Sequence, residues 1–168
     1  MGWFVMAVVD VLDYFPPGHA GRTVLTDILN RTARAVLRVQ DPESGLWYQV
    51  LDRAGAAENY QESSASAMFA YAFAKGVRKG LMPPEYLDAA RRAFRGLLNH
   101  QVSQDADGGW SLNGICSVAG LGGEPYRDGS YRYYTGEKVT TNDPKGVGAF
   151  ILAALEMEAA DPRKRTQE

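Results

Sequence analysis

The residues of this chain best suited to chemistry stand where apolar runs begin. Tyr60, Glu62, Ser63 and Ser64 precede an alanine-rich run, and Asn142, Asp143 and Lys145 precede another. A carboxylate such as Glu62 suits acid–base work, with tyrosine and serine hydroxyls beside it to bond a hydroxyl-rich ligand. The same residue types cap helices, so a purely structural reading stands next to the functional one. A helix N-terminus with Lys145 beside it favours a carboxylate ligand. Equally, Asp143 reads as a plain cap and Lys145 as a solvated side chain. Trp3, at the start of the first apolar run, offers an indole face for stacking or fills a core.

The remaining candidates are weaker. Trp47, Tyr48 and Trp110 are loop aromatics, read as packing beneath loops before ligand stacking. Tyr126, Tyr131, Tyr133 and Tyr134 lie in a Gly-rich stretch and form a candidate rim. His19 and His100 are far apart and no Cys–His cluster accompanies them, which argues against zinc. Cys116 has no histidine base near it in the pattern, so a nucleophilic role is not expected. The glycines of AGLGG (119–123) lack a following helix with a phosphate-binding lysine or serine and read as turn formers.

Five helical segments must position these residues. They span about Gly2–Phe15, Arg22–Gln40, Glu62–Lys79, a stretch after Pro83-Pro84, and Asp143 to about Ala160. Pro16-Pro17-Gly18 stops the first. Asp143 as N-cap with Pro144 in the first turn gives the clearest start. The first, third and fifth segments are apolar nearly all round, whereas the second and fourth carry an apolar stripe with arginines off it. Alternating burial predicts two concentric layers, the apolar helices inside. Short turns (16–21, 80–84) alternate with long loops (41–61, 104–142), and long loops in compact domains are more often functional than idle. DPESGLWYQV and DADGGWSLNG follow the two arginine-bearing helices, a faint repeat that fits helical hairpins.

The chain has 168 residues, 45% hydrophobic and 23% charged, with a formal net charge of −2. That balance suits one globular domain over 1–168, with 161–168 as a disordered tail. It gives no basic footprint for nucleic acid. A single cysteine excludes an internal disulfide, no run is long enough to span a membrane, and no signal peptide is recognisable, so a cytoplasmic location is expected.

GW at 2–3, DPESGLWYQVLD at 41–52, NYQESSASAMFAYAFAKGVRKG at 59–80, CSVAGLGGEPYRDGSYRYY at 116–134 and TNDPKGVGAFILAALEME at 141–158 together resemble the C-terminal half of the unsaturated rhamnogalacturonyl hydrolases. These form glycoside hydrolase family 105, related to the unsaturated glucuronyl hydrolases of family 88. The resemblance implies an all-α fold, part of an (α/α)6 toroid: about two and a half hairpins with small extended pieces in the long loops. It implies removal of an unsaturated uronic acid from pectin-derived oligosaccharides by hydration of the C4=C5 double bond, without metal or cofactor. Trp3 resembles the family's substrate-contacting tryptophan. Substrate contact is therefore expected at Trp3, Tyr60, Glu62, Asn142 and Lys145.

Gly2 and Trp3 match the last two residues of the family's Arg-x-Asn-Gly-Trp motif, and Met1 stands where its Asn would be. By that mapping the catalytic aspartate has no counterpart in the chain, and it is expected upstream. Two and a half hairpins cannot close a ring, so a missing N-terminal half or a homodimer is expected to cover the inner helices. An inactive carbohydrate-binding remnant and a helical interaction protein are the alternative readings.

Overall fold

The computed structural model describes residues 1–161, so the expected tail beyond Asp161 lies outside the described residues. Its helices are α1 (Gly2–Val11), α2 (Ala20–Leu37), α3 (Ser63–Arg78), α4 (Glu85–His100), the short α5 (Tyr131–Gly136) and α6 (Pro144–Ala159). The extended pieces are β1 (Val102–Gln104), β2 (Trp110–Leu112), β3 (Ile115–Cys116) and β4 (Val139–Thr140). They pair as two antiparallel ribbons, β1 with β2 and β3 with β4.

The layers expected from alternating burial are present. α3 is the central inner helix, packed against α1 on one side and α6 on the other, with α2 and α4 behind. Every α3 residue from Ser66 to Gly76 is buried. Its apolar surface on all sides therefore has a neighbour for each side, which explains why no amphipathic stripe is needed. Gly2 allows α1 to start directly against α3: a Cβ there would lie 2.7 Å from Met68 Sδ and 3.1 Å from Ala65 Cα.

α1 and α6 form the two edges of the inner layer, and each has an open flank. Trp3, Phe4, Val11 and Tyr14 are exposed on and just beyond α1; Ile151, Leu152 and Leu155 are exposed on α6. The arrangement is an arc of alternating helices, part of an (α/α) toroid.

Several boundaries differ from the sequence reading. α1 ends at Val11 and not Phe15, because residues 12–14 tighten into a turn with Asp13 N–H bonded to Asp10 O and Tyr14 N–H to Val11 O. α2 starts at Ala20, capped by His19 Nδ1 accepting from Gly21 N–H at 3.0 Å. α5 was not expected; the Ser130 hydroxyl starts it by accepting from Tyr133 N–H.

The first long loop is nailed down by Trp47. Its indole is fully buried, edge-on to Phe69 and Phe73 at 5.1 and 5.9 Å, and Nε1 donates to Val36 O at 2.8 Å. A buried indole with its N–H satisfied is a strong anchor. Trp110 is different: it is 69% exposed on the β1–β2 ribbon, so the shared packing role expected for the two tryptophans holds for Trp47 alone.

At the far end of the inner helices, charge replaces apolar packing. Lys75 Nζ lies 2.7 Å from Asp10 Oδ1 and 2.8 Å from Asp13 Oδ2, and Lys79 pairs with Asp13 at 2.9 Å. Tyr71 Oη donates to Asp10 at 2.6 Å. Burial opposes the Lys75 charge, but the hydrogen bonds to Asp10 and Asp13 prevail and raise its pKa. Burial, then Asp10, push the Tyr71 phenol up to about 12. Arg78 and Glu156 close the α3–α6 side with a two-point ion pair.

Candidate functional site

The N-terminal ends of α1, α3 and α6 point to one mouth, and the long loops rise around it. Between them lies a cleft of about 670 Å³. Its floor is Gly2, Trp3, Ser64, Ala65 and Met68, with Lys145 at the α6 side. One wall is the segment 48–53 of the first loop. The other comes from Cys116–Ala119, Gly129, Tyr131 and Tyr134 of the second.

Inner-helix N-termini converge here, yet two of the three are already satisfied by the chain itself. Glu62 is 2% exposed, and its carboxylate accepts from Ser64 N–H, Ser64 Oγ–H, Ala65 N–H and Cys116 N–H at 2.6–3.2 Å. Both oxygens work as acceptors for the α3 start, so Glu62 lines the cleft as a cap and not as an acid aimed into it. Asp143 caps α6 in the same way, accepting from Lys145 N–H at 3.0 Å and from Lys145 Nζ at 2.6 Å. The Lys145 side chain, then its backbone N–H, hold the Asp143 carboxyl below the usual range. Among the described residues no side chain caps α1.

Of the five residues expected to meet a ligand, three line the cleft: Trp3, Glu62 and Lys145. Trp3 is 57% exposed, leaving its ring free for stacking. Tyr60 and Asn142 are not among the residues that line the cleft. The Tyr60 hydroxyl is buried next to Cys116 with no hydrogen-bond partner among the described residues, and burial, then Cys116, push its ionisation up. Asn142 knits β2 to α6. Its Oδ1 accepts from Leu112 N–H at 2.8 Å, its N–H donates to Leu112 O at 2.9 Å, and Nδ2 donates to Ser111 Oγ at 3.0 Å. It does so at φ +56°, a conformation asparagine tolerates better than most residues.

Of the rim tyrosines, Tyr131 and Tyr134 line the cleft. The Tyr131 hydroxyl donates to Ala57 O, tying the two long loops together, and Tyr133 Oη accepts from Gly120 N–H at 3.2 Å. Cys116 is buried at the cleft wall, with Gln49 Nε2 3.2 Å from its sulfur. Sequence reasoning missed Asp52 and Arg53, which line the cleft from the first loop. Their only signal was an adjacent pair of charges within a long loop.

The model of glycosyl hydrolase family 88 matches residues 1–160. The chain belongs to that family. Among solved structures, a family 105 glycoside hydrolase from C. acetobutylicum ATCC 824 superposes with a TM-score of 0.90 at 46% identity. The match covers 94% of this chain and 44% of that one. A possible family 105 member from Salmonella enterica superposes with a TM-score of 0.77 at 30% identity, over 93% of this chain and 38% of the other. The 24.9 kDa protein in picA locus of Rhizobium radiobacter is 42% identical over 93% of this chain and 69% of its own length. The unsaturated 3S-rhamnoglycuronyl hydrolase of Formosa agariphila is 27% identical, over 93% of this chain and 37% of its own. The chain thus spans less than half of the solved relatives, and within family 88 it carries the arc and cleft described above.

Proposed function

We propose that this cleft receives the unsaturated uronyl end of a pectin-derived, rhamnogalacturonan-type oligosaccharide, and that the chain forms part of a hydrolase site for that sugar. The observation that carries the reading is the exposed Trp3 ring on the floor of a cleft at the inner-helix mouth of a family 88 arc. A flat indole at the start of α1, which has no side-chain cap among the described residues, with the Lys145 and Arg53 cations on the lining, suits a sugar ring bearing a carboxylate. The Formosa relative, named as an unsaturated 3S-rhamnoglycuronyl hydrolase, supports the unsaturated uronyl part of this reading.

In the proposed reaction an acid protonates C4 of the C4=C5 bond and water adds its oxygen to C5, giving a hemiketal. Ring opening leaves a C5 ketone, and the C1 hemiacetal then releases the second sugar as an alcohol. One water is consumed, and the proton lent to C4 is balanced by the one lost from the attacking water. No metal or cofactor enters. Glu62 is engaged as a cap, and the resemblance puts the family's catalytic aspartate upstream of the motif that ends at Gly2 and Trp3, so we assign the proton donor to helices outside residues 1–168. The same helices would cover the apolar edges on α1 and α6, as the matched part of the C. acetobutylicum structure makes up 44% of its chain. A cytoplasmic location fits a consumer of small oligosaccharides; among the described residues no helix is long and apolar enough to cross a membrane.

The test is to incubate residues 1–168 with an unsaturated galacturonyl-rhamnose disaccharide. Calorimetry and the ultraviolet absorbance of the double bond are followed together. Heat of binding with unchanged absorbance is expected. Loss of absorbance would place the donor within this chain, and absence of heat would remove the cleft as the sugar site.

A further inference from the structure

Two cationic side chains line the cleft, Lys145 and Arg53, and their circumstances differ. Lys145 Nζ sits 2.6 Å from Asp143 Oδ1, so much of its charge is already matched. Arg53 has no carboxylate within ion-pair distance and its side chain makes no hydrogen bond among the described residues.

The Arg53 backbone, by contrast, is held firmly. Its N–H donates to Val50 O at 3.2 Å, and its carbonyl accepts from Ala56 N–H at 3.0 Å and Asn59 Nδ2 at 2.9 Å. Asn59 also accepts from Val50 N–H and donates to Val50 O, so one side chain fixes the whole turn. The Tyr131 hydroxyl holds the same loop from the opposite wall through Ala57 O. Arg53 is exposed, so water satisfies its guanidinium in the free protein and its donors can be handed to a ligand without breaking any bond within the chain. Asp52 lines the cleft beside it without pairing to it.

We infer that Arg53 is the anion-recognising residue of the cleft and binds an acidic group of the oligosaccharide; this rests on the sugar-site reading above. A planar guanidinium with its fork free matches a carboxylate in two parallel hydrogen bonds, which an ammonium already paired to Asp143 cannot supply. The acidic group is either the carboxylate of the unsaturated unit or one on the sugar next to it. Asp52 acts in the opposite sense, disfavouring anions by like charge.

The experiment is calorimetry on residues 1–168 as wild type, Arg53→Gln and Asp52→Asn. Three probes are used: unsaturated galacturonyl-rhamnose, its methyl ester, and unsaturated galacturonyl-galacturonate. If Arg53 reads the terminal carboxylate, Arg53→Gln weakens both acidic probes about tenfold and leaves the ester unchanged. If it reads the neighbouring sugar, only the galacturonyl-galacturonate weakens. Asp52→Asn tightens whichever probe Arg53 reads by about twofold. Arg53→Gln should melt with the wild type, since no intramolecular bond of its side chain is lost. Arg53→Gln binding all three probes as the wild type does would overturn the inference. Wild type binding none of them would instead overturn the sugar-site reading and this inference with it.

Discussion

The backbone N–H of Cys116 donates to Glu62 Oε1 at 2.9 Å, so one carboxylate both starts α3 and anchors the strand that enters the Gly-rich loop. Glu62→Gln replaces one of its two acceptor oxygens with a donor facing other donors. The variant is expected to lose about 2 kcal/mol of stability, measured by urea unfolding. Amide exchange should rise at Ser64, Ala65 and Cys116 together. A variant as stable as wild type would return Glu62 to the list of residues free for acid–base work.

Packing overrides helix propensity at Gly96. A Cβ there would meet Ser44 O at 2.1 Å, because α4 lies against the backbone of the first long loop. In an exposed helix Gly→Ala gains about 1 kcal/mol. Here Gly96→Ala is expected to cost about 2 kcal/mol and to loosen the Ser44–Leu46 segment. Thermal melting gives the sign directly.

Asp13 makes the stability of the arc sensitive to acid. Its hydrogen bonds to Lys75, then Lys79, hold its carboxyl below the ordinary value of 3.8. A depressed carboxyl stabilises the fold at pH above its unfolded value, and that contribution fades as pH falls through the folded value. Asp13→Asn should therefore be less stable than wild type by about 1 kcal/mol at neutral pH. The gap should narrow below the ordinary value and close below the depressed folded value, where Asp13 is protonated in both states. Urea midpoints across that range test it; a gap independent of pH would contradict the ion-pair account.

Asn142 is assigned to the framework and not to the ligand. Asn142→Ala removes the amide that joins Leu112 and Ser111 to the start of α6. It is expected to cost about 1–3 kcal/mol of stability. Disaccharide affinity, measured at a temperature where the variant is folded, should be nearly unchanged. A large fall in affinity without loss of stability would restore Asn142 to the binding surface.

The parts of the fold that were legible in the sequence are those with local causes. Asp143 and Pro144 placed the start of α6 correctly, since an N-cap followed by proline acts within one turn. The all-round apolarity of α3 announced its central place. What was not legible depended on tertiary neighbours. The apolar stretch after Val11 read as more helix, yet the chain tightens into a turn and aligns Asp13 with Lys75 and Lys79. Ser130 was a single cap signal inside a glycine-rich stretch, too little to announce α5. For the site, proximity to a helix start identified Trp3, Glu62 and Lys145 as near the mouth. It could not say that Tyr60 and Asn142 stay off the cleft lining, because side-chain placement at a loop–helix junction follows from the loop's path. Arg53 stayed hidden because its place on the wall is set by Asn59, six residues on.

The central claim is that the mouth where α1, α3 and α6 begin is the sugar site. The most direct measurement is amide chemical-shift mapping of residues 1–168 titrated with unsaturated galacturonyl-rhamnose. Saturable shifts are expected at Trp3, Arg53, Ala65, Ser117 and Lys145, including the Trp3 indole N–H. Shifts confined to α2, α4 or the β1–β2 ribbon, or none at millimolar ligand, would contradict it.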